Sequence, residues 1–99
     1  MALTSLLDIN LKKLIETLEE KIGEKLPKKV VSISLSENTL HIRFTHPKTI
    51  ETDVEPLPLK TPIFLFRDEK TKEITALEII NIDEALRELN LKTIDKSSQ

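Results

Sequence analysis

The chain has 99 residues, 38% of them hydrophobic, with 15 basic and 17 acidic side chains and a net charge of −2. This length holds one domain around one core, and so balanced a charge supplies no long-range field to gather nucleic acid or an anionic membrane. Cysteine is absent, which excludes disulfides, thiolate nucleophiles and cysteine metal ligands. The first predicted element is a long helix. Ser5 and Asp8 have the spacing of a capping box, with Asp in place of the usual Glu. Leu7, Leu11, Leu14, Ile15, Leu18, Ile22 and Leu26 recur in steps of three and four, which places one apolar stripe along a helix. Gly23 weakens the last turns and Pro27 is expected to end them.

Strands are predicted next. Val31, Ile33 and Leu35 alternate with serines, and Leu40, Ile42 and Phe44 alternate with Thr39, His41, Arg43 and Thr45. Both stretches have the period of two that marks a half-buried strand. Glu37-Asn38 between them suits a two-residue hairpin turn, although no glycine follows the Asn. Residues 48–56 form a third strand, with Ile50 and Val54 on one side and Glu51, Asp53 and Glu55 on the other. Pro56, Pro58 and Pro62 then make an extended connector. A second hairpin follows around Arg67-Asp68-Glu69-Lys70-Thr71-Lys72. Its strands are apolar on both faces: Ile63 and Leu65 against Phe64 and Phe66, then Ile74, Ala76 and Ile80 against Leu77 and Ile79. Both faces of such strands need cover. The last element is a short helix with Asn81 and Glu84 at capping-box spacing, Ala85, Leu86 and Leu89 on its apolar side, and Asn90 as its C-terminal cap. Residues 94–99 are expected to fray. The predicted fold is thus a single α+β domain over residues 1–99. It has a long N-terminal helix, a mostly antiparallel sheet of four or five strands, and a short C-terminal helix.

The first ten residues lack the basic start and long apolar run of a signal peptide. No apolar run approaches the roughly 18 residues of a membrane span, so no membrane association is expected and the expected location is the cytoplasm. Twelve Lys, twelve Glu, one Gln and one Met are a composition typical of hot-growing organisms.

The segment from Thr39 to Leu86 resembles an uncharacterised family of small prokaryotic proteins, domain of unknown function 2283. The matching pieces are Leu-His-Ile-Arg-Phe from Leu40, Thr-Ile-Glu-Thr-Asp-Val-Glu-Pro from Thr49, Ile-Phe-Leu-Phe-Arg-Asp-Glu from Ile63 and Ile-Thr-Ala-Leu-Glu-Ile-Ile from Ile74. The turn after Arg67 lacks the family's glycine, and Ala76 stands where the family often has one. The resemblance covers about half of the chain. It implies a compact β-rich domain with no known activity, and, from relatives found beside toxin-like proteins, an antitoxin-like or partner-binding role.

Three functional readings are open at this stage. The leading one is a non-enzymatic protein-interaction module, an assembly partner or a homodimer, because the two-faced hairpin exposes some of Phe64, Phe66, Leu77 and Ile79 unless both faces are covered. The second is a small hydrolase or metal-dependent enzyme. If the strands on either side of His46-Pro47-Lys48 form a hairpin with Thr45 opposite Thr49, then Phe44 meets Ile50, Arg43 meets Glu51, His41 meets Asp53 and Leu40 meets Val54. His41 and Asp53 then form a candidate acid–base pair, with Ser32, Ser34 and Ser36 on the neighbouring strand. The same pairing explains His41 and Arg43 as ion-paired strand residues on a wet face. For a metal, His41, Asp53, Glu51 and His46 offer imidazole and carboxylate ligands, and the place of His46 at the turn, two strand-ends from His41, opposes their convergence. The third reading is a phosphate-binding basic patch of Lys21, Lys25, Lys28 and Lys29. Interleaved Glu24 and the absence of nearby aromatics oppose nucleic-acid binding there. With Gly23 as the only glycine, no phosphate loop or dinucleotide fingerprint exists. No cofactor is expected.

Overall fold

In a computed structural model, residues 9–51, 53–57 and 59–91 are described, residues 53–55 by their strand alone. The elements in chain order are helix α1 (Leu11–Ile22), strands β1 (Ser32–Ser36), β2 (Thr39–Arg43), β3 (Asp53–Pro56), β4 (Ile63–Arg67) and β5 (Ile74–Ile79), and helix α2 (Ile82–Glu88). The strands form one antiparallel sheet in the order β1-β2-β5-β4-β3.

The α+β class holds, but α1 is shorter than the apolar stripe suggests. It has 12 residues, begins after Asn10, whose side chain accepts a hydrogen bond from the Lys13 N–H, and ends at Gly23. Gly23 has φ +70° and its N–H donates to the Glu19 carbonyl. A left-handed residue closes the helix at little steric cost when it is glycine, so the helix stops four residues before Pro27. Leu26 continues the burial without the helix, its N–H held by the Glu19 carboxylate at 2.7 Å. The Ser5–Asp8 capping box, Leu7 and residues 94–99 lie outside the described residues.

The predicted hairpin between β2 and the segment containing Asp53 is not formed. β2 pairs instead with β1 and β5, and β3 pairs with β4, so two strands separate β2 from β3. β5 takes the central position because Leu77 and Ile79 bury on one face and Ala76 on the other. A strand apolar on both sides is most stable where neighbours flank both of its edges.

Both helices cover one face. Leu14 and Leu18 of α1 and Ile82, Ala85 and Leu86 of α2, with Leu89 just beyond, join Leu40, Ile42, Ile63, Leu65, Leu77 and Ile79 in one apolar core. Each large side chain so buried contributes about 1.5–3 kcal/mol. Leu77 and Ile79, expected on an exposed surface, therefore belong to the core and are fully buried.

Local capping follows the sequence closely. Asn81 accepts from the Glu84 N–H at 3.2 Å. At the other end of α2, Asn90 is left-handed, the Leu91 N–H donates to the Leu86 carbonyl and the Asn90 N–H to the Arg87 carbonyl, the paired bonds of a Schellman motif. Glu37 and Asn38 both have positive φ, 48° and 72°, as a two-residue hairpin turn requires. The Asn38 side-chain amide donates to Asn81 at 2.7 Å and the Asn38 backbone carbonyl accepts from the Ile82 N–H, tying this turn to the start of α2. Glutamate is poorly suited to a left-handed site, so Glu37→Asn should raise stability by about 0.5–1 kcal/mol. Urea unfolding of the two proteins checks this, and an unchanged or lower midpoint contradicts it.

Candidate functional site

The register defines the face that the helices leave open. Across it run two rows of paired residues: Ser34, His41, Glu78, Phe64 and Pro56, then Ser32, Arg43, Ala76 and Phe66. By strand alternation these positions lie opposite Leu40, Ile42, Leu65 and Leu77 of the core. Phe64 and Phe66 are half-buried and lie outside the core cluster. The His41 ring lies 6.4 Å from that of Phe66 with a 57° tilt, inside the range of favourable ring contacts. Ala76 is fully buried on this face, where neither described helix contributes to the core. Its register neighbours on this face are Arg43 and Phe66.

Beside this apolar strip sits a closed ionic network. The Arg43 guanidinium donates to both oxygens of Glu51 at 3.0 Å and to the Thr45 carbonyl at 3.1 Å. Both side chains are mostly buried, 19% and 17% exposed. The Thr75 hydroxyl donates to the same carboxylate. Thr75 reaches it through a bulge: Phe66 pairs with Ala76 but Arg67 pairs with Ile74. The extra residue, Thr75, is turned out of the alternation. The Arg43 hydrogen bonds hold the Glu51 carboxyl below its ordinary pKa. Partial burial opposes this, while Thr75, the Arg43 charge and His41 add to it.

Glu51 is placed by a second acid. Asp68 follows β4, is 1% exposed, and accepts five hydrogen bonds. Two come from the Lys48 and Thr49 N–H groups and one from the Thr49 hydroxyl, at 2.6–2.8 Å. Two more come from the Lys70 and Thr71 N–H groups of its own turn. Its carboxyl is held far below the usual range, first by the Thr49 hydroxyl and then by the Thr71 N–H; burial opposes, and the Thr49 and Lys70 N–H groups assist. This carboxylate clamps the loop after β2, and the Glu69 N–H donates to the Ile50 carbonyl alongside it. Glu88 of α2 does similar work at the next loop, accepting from the Lys60 and Thr61 N–H groups and the Thr61 hydroxyl.

The predicted residues are distributed as follows. Arg43 and Glu51 meet as expected, but through the loop and not through strand pairing. His41 pairs in register with Ser34 and Glu78, whereas Asp53 pairs with Arg67. Three strand steps separate β2 from β3, about 14 Å at the usual spacing. His46 is exposed in the loop. Among the described residues no group of three or more His, Asp or Glu has the proximity to hold a metal ion, and no helix is long and apolar enough to cross a membrane.

Lys21, Lys25, Lys28 and Lys29 are all exposed. Lys25 and Lys28, with Lys12, rim a groove of about 510 Å³ floored by Leu11, Ile15, Leu26, Pro27 and Val30. Glu16 and Glu19 stand on the same rim, so the basic stripe is interrupted. Asp68, Thr75 and Glu88 were not singled out by sequence reasoning. Asp68 carried a usable signal, an Asp at a strand end whose side chain captures N–H groups two and three residues on. Thr75 carried none, because its role depends on the bulge. No protein-family model, curated protein or solved structure matches the chain.

Proposed function

We propose that this chain is a non-enzymatic protein-interaction module that docks a partner protein on the helix-free face of its sheet. The observation that carries the proposal is the position of Phe64 and Phe66. They are half-exposed, outside the core, and beside a charge pair that already neutralises itself. Aromatic side chains on a rigid sheet supply binding energy at low entropic cost, and a polar rim of Ser34, Thr39 and Glu78 supplies hydrogen-bonding groups around them. Arg43 and Glu51 can be covered without stranding a lone charge. Hydrolysis draws little support from this face. It requires a nucleophile, a base and an oxyanion hole that converge, and His41 here has Ser34, Glu78 and Phe66 as neighbours on an open sheet.

Phe66→Asp tests the proposal. Phe66 does not belong to the core, so the variant should keep its far-ultraviolet dichroism. It should weaken capture of a discrete partner from native extract by 30-fold or more, roughly 2 kcal/mol, while Glu84→Gln, at an exposed position of α2, leaves capture intact. A partner retained equally by both variants contradicts this docking face.

A further inference from the structure

One carboxylate of the open face is left without a counter-charge. Arg43 is the only arginine or lysine in the two rows, and it is engaged by Glu51 and the Thr45 carbonyl. Glu78 lies on the central strand β5, half-buried, between His41 and Phe64 in register. Among the described residues it accepts no hydrogen bond and joins no ion pair. With Arg43 balanced by Glu51 and His41 neutral, the rows carry one negative charge in excess, and it sits beside the two aromatic rings.

In the free protein, water solvates this carboxylate. A partner that covers Phe64 and Phe66 removes that water. Side chains directly opposed on neighbouring strands start about 5 Å apart, so Phe64 is not covered without Glu78. An ionised carboxylate covered with no cation beside it opposes association. We propose that the partner protein brings an arginine side chain to this point, seated over Phe64 and Phe66 and paired with Glu78. This rests on the docking reading above and adds the chemistry of the partner. A guanidinium is flat and weakly hydrated, so it lies on an aromatic ring while its N–H fork meets both oxygens of one carboxylate. A lysine ammonium is compact and strongly hydrated, and gains less from the rings. Ala76, two residues before Glu78 on the same face, raises only a methyl group beside the site.

The probe is a library of short random peptides displayed on phage and selected on the immobilised full chain, with the strongest binder then synthesised. It should contain arginine. In calorimetry, changing that arginine to glutamine should raise the dissociation constant about 30-fold, and changing it to lysine about fivefold. Glu78→Gln keeps the shape of the side chain and breaks no described bond. It should weaken binding as much as the peptide's glutamine does, and the two changes together should weaken it little more than either alone. Glu78→Arg should select peptides carrying aspartate or glutamate in place of arginine. Phe66→Asp separates this inference from the docking reading. If Phe66→Asp abolishes binding and Glu78→Gln leaves it within about twofold, the face docks peptides without an arginine and this inference alone falls. If the peptide binds Phe66→Asp as tightly as the starting protein, the docking face falls and this inference with it. Selected peptides that lack arginine, additive losses in the cycle, or no binder at all also overturn it.

Discussion

Arg43→Met should lower the stability of the protein by roughly 2–4 kcal/mol, the largest effect expected of any polar substitution on the open face. The variant strands the Glu51 carboxylate, 17% exposed, with Thr75 as its remaining side-chain donor. An ionised group left mostly buried without its partner costs far more than the pair contributed. Two further outcomes identify the cause. Glu51 should titrate nearer its ordinary value once the Arg43 hydrogen bonds are gone, since they are the largest influence lowering it. The Arg43→Met/Glu51→Met protein should recover most of the loss, because an apolar pair of similar length needs no compensating charge. Denaturant unfolding of the four proteins of this cycle provides the measurement. Additive losses would mean that the two residues act independently, contrary to their geometry.

Asp68→Asn should lower the melting temperature more than the same change at exposed Glu84, and its effect should depend on pH. The carboxylate accepts from Thr49 and from the Lys48, Thr49, Lys70 and Thr71 N–H groups. An amide carries no charge to strengthen those bonds, and its NH₂ group faces donors. The sign follows from the lowered carboxyl value. A group ionised more readily in the folded state stabilises fully above its unfolded value of about 3.8, and that stabilisation disappears as pH falls toward the folded value. The wild type should therefore lose its advantage over Asp68→Asn progressively below about pH 4. Glu51 and Glu88 are shifted in the same direction, so the acid limb of wild-type stability should be steep. Melting temperatures of both proteins between pH 7 and pH 3 test the point, and a constant difference across that range would count against it. The loop after β2 should loosen in Asp68→Asn, which links this site to the first: Glu51 reaches Arg43 only while that loop is clamped.

Features that depend on a few neighbouring residues could be read directly from the chain. The cap at Asn81, the left-handed close at Asn90 and the Glu37-Asn38 turn are each completed within about five residues. The alternation in β2 likewise states which side chains go inward, and Ile42 and Leu40 are buried accordingly, whereas Val31, expected inward with Ile33 and Leu35, precedes β1 and is 46% exposed while Val30 packs against the core. Gly23 was visible too, but its choice between weakening a helix and ending one depends on whether the following residues can bury Leu26 without a helix. That is a question about the core.

Strand pairing had no such local answer. The pattern of β2 fits any partner that alternates in phase, so a hairpin with the Asp53 segment and a pairing with β5 both satisfied it. The burial of Leu77, Ile79 and Ala76 together broke the tie, by drawing β5 to the centre and leaving Asp53 on the far edge. The charge match of Arg43 with Glu51 survived this rearrangement because Asp68, 17 residues beyond Glu51 in the chain, holds the intervening loop against the sheet. Which residues are apolar, which turn and which cap are properties of short stretches. Which strands become neighbours, and so which side chains share a face, is set by long-range burial.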